Sequence, residues 1–135
     1  MWWRKYVGVP YKDFGRSTDG CDCWGLLRLV YAEEFGIELP SYIGGYESPR
    51  AGRGLGTLIG QEVDNNPWGA VLRNTERSGD AVLLALRGYP CHVGIVTAPG
   101  DMLHVTRGID AVVESYRGSM WARRLKGVYR YEPTR

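Results

Sequence analysis

Histidine occurs twice in this 135-residue sequence and cysteine three times, so chemistry that needs either has few places to sit. Three cysteines are an odd number and too few for a disulfide framework, which makes free thiols the default. No apolar run approaches membrane-spanning length, so helical insertion into a bilayer is not expected. No Lys/Arg run or basic face is dense enough to expect nucleic acid, and the formal net charge is only +2. The first residues, Met1-Trp2-Trp3-Arg4-Lys5-Tyr6, meet charge too early to read as a signal peptide. Internal repeats, low-complexity tracts and linkers are also lacking.

What is present fits one domain over residues 1–135, long enough for a real core. Apolar content of 44% and charged content of 24% are those of an ordinary globular chain. Nineteen glycines, nine tyrosines and five tryptophans point to many turns and aromatic-lined surfaces. Residues 1 to 21 read as an irregular, aromatic-rich approach, with an initial helical turn at Trp2, Trp3, Tyr6 and Val7. Residues 41 to 54 are loop by composition, and 55 to 64 suggest a short helix that Asn65-Asn66-Pro67 ends. From Gly79 the period shifts to that of strands: Asp80 to Leu86, His92 to Thr97, Met102 to Thr106, Ala111 to Tyr116 and Gly127 to Tyr131. Ser119 to Arg124 reads as one more helical turn. The layout is α+β, most simply a helix packed on an antiparallel sheet of about five strands.

The clearest helix signal runs from Cys23 to Phe35. Leu26, Leu27, Val30 and Tyr31 recur at spacings of three and four and form one apolar stripe. Asp22 suits the N-cap and Gly36 the position past the last turn, with Pro40 beyond as a stop. Cys23 thereby falls in the first helical turn, where free N–H groups and the helix dipole favour thiolate over thiol. A cysteine there is either a nucleophile or a coincidence.

Both histidines, His92 and His104, lie in the expected hairpin around Pro99-Gly100. A three-residue turn, Ala98-Pro99-Gly100, would set Gly94 opposite His104. The two histidines would then be diagonal neighbours on one face, roughly 7–8 Å apart at the backbone. A two-residue turn would put them on opposite faces. Given one face, Cys23, His92 and His104 supply a nucleophile, a base and a polar group that orients the base. His92 would take the thiol proton and later protonate the leaving amine. The helix start offers backbone N–H groups, that of Cys23 among them, to a developing oxyanion.

The motifs Pro10-Tyr11, Asp22-Cys23-Trp24-Gly25-Leu26, Gly79-Asp80, His92-Val93-Gly94-Ile95 and Met102-Leu103-His104 occur in that order. In order and spacing this resembles the NlpC group of papain-like cell-wall cysteine peptidases, from about Tyr6 to Tyr131. The resemblance implies Cys23 as nucleophile, His92 as base and His104 as third member. It implies that the Tyr11 hydroxyl assists the oxyanion hole, with Asp22 and Trp24 beside the nucleophile on the oxyanion and substrate side. It needs no cofactor and no metal. The implied substrate is the stem peptide of bacterial peptidoglycan, cut typically between D-glutamate and a diamino acid. Trp24 stands where the family usually has Ser, and Lys12-Asp13-Phe14-Gly15 keeps at most one of the usual two glycines. Trp24 and the continuation Arg28-Leu29-Val30-Tyr31 most resemble members encoded in phage tail gene clusters. That implies tail-tip proteins as partners, synthesis in the host cytoplasm and a final place in the virion.

Two other readings compete. Cys21, Cys23, Cys91 and His92 could meet as metal ligands, although the C-x-C spacing is tighter than a usual zinc knuckle. A structural tail-tip subunit could keep the fold with little or no activity.

Overall fold

The computed structural model describes residues 1–48, 52–118 and 120–133. A 3-10 turn, Trp2–Tyr6, leads to a small hairpin of β1 (Arg16–Ser17) and β2 (Gly20–Cys21). Two helices follow, α1 (Cys23–Phe35) and α2 (Arg53–Asn65). Then come β3 (Trp68–Ala70), β4 (Ala81–Leu86), β5 (Tyr89–Ala98), β6 (Asp101–Thr106) and β7 (Ile109–Ser115). A 3-10 turn, Ala122–Arg124, precedes β8 (Leu125–Tyr131). Strands β3 to β8 form one antiparallel sheet in the order β3-β8-β4-β5-β6-β7. The architecture is the expected α+β one, with the helix that carries Cys23 lying across β5 and β6.

Helix α1 has the expected bounds because its ends are satisfied. Asp22 caps the N-terminus through Gly25 N–H at 2.8 Å. Gly36 turns left-handed (φ +66°), and Ile37 N–H returns to the Tyr31 carbonyl, which closes the last turn. The stripe of Leu26, Leu27, Val30 and Tyr31 is buried against Val93, Ile95, Leu103 and Val105, with Leu55 and Ile59 of α2 beside it. Alternate strand residues Val82, Leu84, Val96 and Met102 build a second cluster on the opposite face, joined by Tyr116 and Trp121 from the segment after β7.

The sheet has six strands rather than about five. The extra one, β3, is three residues long and pairs with β8 from Trp68↔Tyr131 to Ala70↔Tyr129. Long-range contacts place it. The Trp68 indole donates to Glu62 Oε2 at 2.9 Å, and its ring meets Tyr131 and Tyr31 at 5.0 and 5.7 Å. The stretch expected to be irregular before Asp22 contains the β1–β2 hairpin, too short to carry a period. Ser119 and residues 49–51 lie outside the described residues, so part of the expected 119–124 turn and of the 41–54 loop does too.

The hairpin around Pro99-Gly100 differs from the expectation in an informative way. Its turn has two residues, with Ala98 paired to Asp101. A bulge then shifts the register to Val96↔Met102 and Ile95↔Leu103. The bulge adds one residue to β5 and restores the parity that a three-residue turn would have given. A Cβ on Gly94 would lie 3.3 Å from that of His104, so these positions do face each other.

Candidate active site

The start of α1 is locked by a buried charge network. Asp22, 0% exposed, accepts from Gly25 N–H and from Arg16 Nη1 on Oδ1, both at 2.8 Å. Its Oδ2 accepts from Phe14 N–H at 3.2 Å and from the Tyr46 hydroxyl. Arg16 also donates to the Ser41 carbonyl and to Tyr46 Oη at 2.7 Å. One carboxylate thus ties the hairpin, the helix cap and the 41–48 loop together. Arg16 and Tyr46 carry no motif, and only the fold reveals them as part of this support.

Cys23 occupies the first turn and is 7% exposed. The β5–β6 ladder runs from the turn to Ile95↔Leu103 and no further. The sulfur sits at β5 beyond that point, with Sγ 3.5 Å from the Cys91 carbonyl oxygen. Burial pushes the Cys23 thiol well above its ordinary range and the Asp22 charge adds to this, against the backbone N–H groups of Val93 and Trp24. The expected thiolate is therefore not the resting form, because desolvation outweighs the helix start.

His92 and His104 share a face, with His92 Nε2 2.8 Å from His104 Nδ1. His104 Nε2 lies 3.1 Å from Glu114 Oε2, a charge contact off the line of an ideal hydrogen bond. The Trp121 indole donates to the other oxygen, Glu114 Oε1, at 2.5 Å. Its ring stacks on His92 (centroids 5.3 Å, 19°) and meets His104 edge-on. Burial, then the charges of His104 and Arg124, lower the pKa of His92 to about 3. Burial lowers that of His104 as well, against the opposing pull of Glu114. Glu114 and Trp121 escaped the sequence reading, although the even spacing of Glu114 from His104 across the next turn was a usable parity signal.

Tyr11, Cys23 and His92 line one crevice of about 50 Å³, with Cys91, Val105 and Arg107 among its other walls. The thiol's hydrogen bond goes to the Cys91 carbonyl; among the described residues none joins it to His92. Tyr11 is half-buried, bridges to Cys21 and keeps its phenol protonated through burial and Asp13. Asp22 and Trp24, expected on the oxyanion and substrate side, do not present side chains to this crevice. Asp22 is spent on the network above. The Trp24 indole is 1% exposed, donates to the Pro40 carbonyl at 2.8 Å and packs against Tyr42. Only the backbone N–H of Trp24 serves the sulfur. Cys21 Sγ donates to the Ser17 carbonyl, and no group of three metal-ligating side chains occurs among the described residues.

Residues 8–130 match the model of the NlpC/P60 family. The chain is 27% identical over 119 residues to the Murein DD-endopeptidase MepS/Murein LD-carboxypeptidase of Escherichia coli strain K12, covering 88% of this chain and 54% of that one. It is 27% identical over 130 residues to the Gamma-DL-glutamyl hydrolase of Bacillus subtilis strain 168, covering 95% and 27%. The chain therefore spans about half the length, or less, of these relatives. Among solved structures it resembles the NlpC/p60 domain of the peptidoglycan hydrolase SagA, with TM-score 0.65, 23% identity and coverage of 94% and 91%. An NlpC/P60 family protein from Bacillus cereus is similar at TM-score 0.67, 23% identity and coverage of 95% and 37%. The likeness to these two is one of fold. By both sequence pattern and papain-like α+β fold, this chain belongs to the NlpC/P60 family.

Proposed function

We propose that this chain is a peptidoglycan endopeptidase that cuts a stem-peptide bond of the D-glutamyl–diamino acid type through Cys23. The observation that carries the reading is the placement of the Cys23 sulfur in one crevice with His92, whose far nitrogen is held by His104 at 2.8 Å. In this reading the thiol proton passes to His92 while sulfur bonds to the scissile carbonyl carbon. The backbone N–H of Cys23 and the Tyr11 hydroxyl serve the oxyanion. His92 then gives its proton to the departing amine, and water, deprotonated by the same imidazole, releases the acid and restores the thiol. A crevice of about 50 Å³ admits a side chain rather than a whole stem peptide, so most of the substrate would lie along the surface. The names of the two relatives, a murein endopeptidase and a γ-DL-glutamyl hydrolase, support this substrate class.

The setting proposed is a phage tail tip, where the enzyme would open the host wall and dock on tail proteins. Trp24 and the Arg28-Leu29-Val30-Tyr31 continuation support it by resemblance. Co-sedimentation of the chain with purified tails tests this setting separately.

The activity is tested by release of new amines from purified peptidoglycan. Wild type should release them and Cys23→Ala should lose about a thousandfold or more. If both are equally inert on several wall types, the endopeptidase reading fails and a structural tail subunit replaces it.

A further inference from the structure

The two imidazoles, the Trp121 indole and the Glu114 carboxylate form one contact group. Glu114, on β7, lies two residues beyond Val112, the partner of His104 across the β6–β7 ladder. It is therefore the diagonal neighbour of His104 on the same face. Its two oxygens are divided, Oε2 to His104 Nε2 at 3.1 Å and Oε1 to the Trp121 indole at 2.5 Å. Trp121 is 5% exposed, and the Arg124 guanidinium lies 5.4 Å from its ring. A partly exposed carboxylate on an edge strand is thus held against a buried imidazole by a buried indole.

We infer that Glu114, clamped by Trp121, is a positioning residue that sets the tautomer of both histidines and leaves His92 Nδ1 as the free base. The argument follows the protons. A carboxylate only accepts, so the nitrogen facing Glu114, His104 Nε2, carries the hydrogen. In a neutral ring His104 Nδ1 is then a lone pair. It faces His92 Nε2 at 2.8 Å, where two lone pairs would repel, so His92 Nε2 carries the hydrogen in turn. His92 Nδ1 is left unprotonated. Both rings are held neutral by their burial, so the tautomers are defined. Other charged or titratable groups near the pair are Arg124 beside His92, Cys23 at the helix start, and Tyr11, Arg87, Cys91 and Arg107 around the crevice.

The inference rests on the reading of His92 as the base, but its test does not depend on activity. The chain contains two histidines, so nitrogen-15 histidine labelling gives two imidazoles, which His104→Gln tells apart. Two-bond nitrogen–proton correlation at pH 7 should show both rings of the wild type as Nε2–H tautomers. In Glu114→Gln, Trp121 keeps the amide oxygen and the amide NH2 turns to His104 Nε2. The pair should then move toward Nδ1–H, and turnover should fall about a hundredfold or more with KM little changed. Trp121→Phe, which keeps the ring but frees Glu114, should give mixed tautomers and a smaller loss. An Nδ1–H tautomer on either ring of the wild type overturns the inference, whether or not the variants fold. Unchanged tautomers in Glu114→Gln also overturn it, even if turnover falls, because a merely structural contact would give that result. A protein inactive on peptidoglycan but with the expected tautomer switch would sink the endopeptidase reading alone.

Discussion

Gly25 stands where the Gly15 carbonyl oxygen leaves no room for a side chain: a Cβ there would lie 1.9 Å from that oxygen. Gly15 is equally tight, 2.1 Å from the Gly20 carbonyl oxygen by the same measure. The first turn of α1, the Tyr11–Gly15 segment and the β1–β2 hairpin are thus pressed backbone to backbone. This contact, rather than helix propensity, explains the glycine two residues after Cys23, and it keeps Tyr11 beside the sulfur.

The Gly25→Ala variant separates the two effects because they have opposite signs. Propensity alone would stabilise a helix by roughly 1 kcal/mol. Overpacking against a carbonyl should instead cost about 1–3 kcal/mol net, read from the urea midpoint. Activity should fall further than the folded fraction explains, since Tyr11 and Cys23 move apart. A gain in stability would show that the loop gives way.

Asp22 should matter for stability more than its single charge suggests. Arg16 is 10% exposed at its side chain and faces Asp22 as its one ion-pair partner among the described residues. Removing the carboxylate leaves a buried guanidinium uncompensated and uncaps α1, so Asp22→Ala should cost about 3–5 kcal/mol. Asp22→Asn keeps an oxygen for the cap and should cost clearly less. Denaturant unfolding of both variants checks the order; equal losses would mean that the charge, which both variants lose, carries the whole cost and the cap adds nothing.

Local signals were legible wherever the chain settles its own geometry. The bounds of α1 follow from Asp22, the apolar stripe and Gly36, all within one stretch of sequence. The α+β order and the strands from β4 on follow from the change of period at Gly79. The strand β3 was not legible, because Trp68-Gly69-Ala70 has no pattern until β8 and Glu62 are beside it. The parity of His92 and His104 was readable, but its cause was misplaced: a bulge between Val96 and Ala98 supplies the residue that the turn lacks. Cys23, His92 and Tyr11 do line one crevice. Trp24 does not join them, because sequence adjacency on a helix start says nothing about which way an indole leaves it.

The depressed histidines make stability depend on pH in a definite direction. Folded His92 has a pKa of about 3 and folded His104 is lowered too, against 6.5 when unfolded. Between those values the unfolded chain binds more protons, so stability rises with pH. It is fully present above about pH 6.5 and is lost as pH falls through the window below. The slope from His92 should approach roughly 1.4 kcal/mol per pH unit, and His104 adds to it in the same direction. Unfolding free energies between pH 6.5 and 5, above the range of the lowered Glu76 carboxyl, test this. Replacing both histidines with Gln should flatten the curve there; a slope that persists must come from other groups.

A buried thiol beside a neutral imidazole should also react differently from a thiolate–imidazolium pair. Burial holds the Cys23 thiol up while it holds His92 down, so both remain uncharged near neutral pH. Alkylation of Cys23 by iodoacetamide, followed by peptide mass spectrometry, should therefore be slow at pH 6 and still climbing above pH 9. A pre-formed ion pair would instead give a rate that is already flat from about pH 4–5 upward. Cys21 supplies the internal control. It is 0% exposed, its Sγ donates to the Ser17 carbonyl at 3.1 Å, and burial pushes it up to about 11. It should stay unlabelled until the protein unfolds, while Cys23, which lines the crevice, should label in the native state. A flat rate at Cys23 down to pH 5 would show that the histidine pair draws the proton off the thiol before any substrate arrives. In that case the helix start would outweigh burial after all.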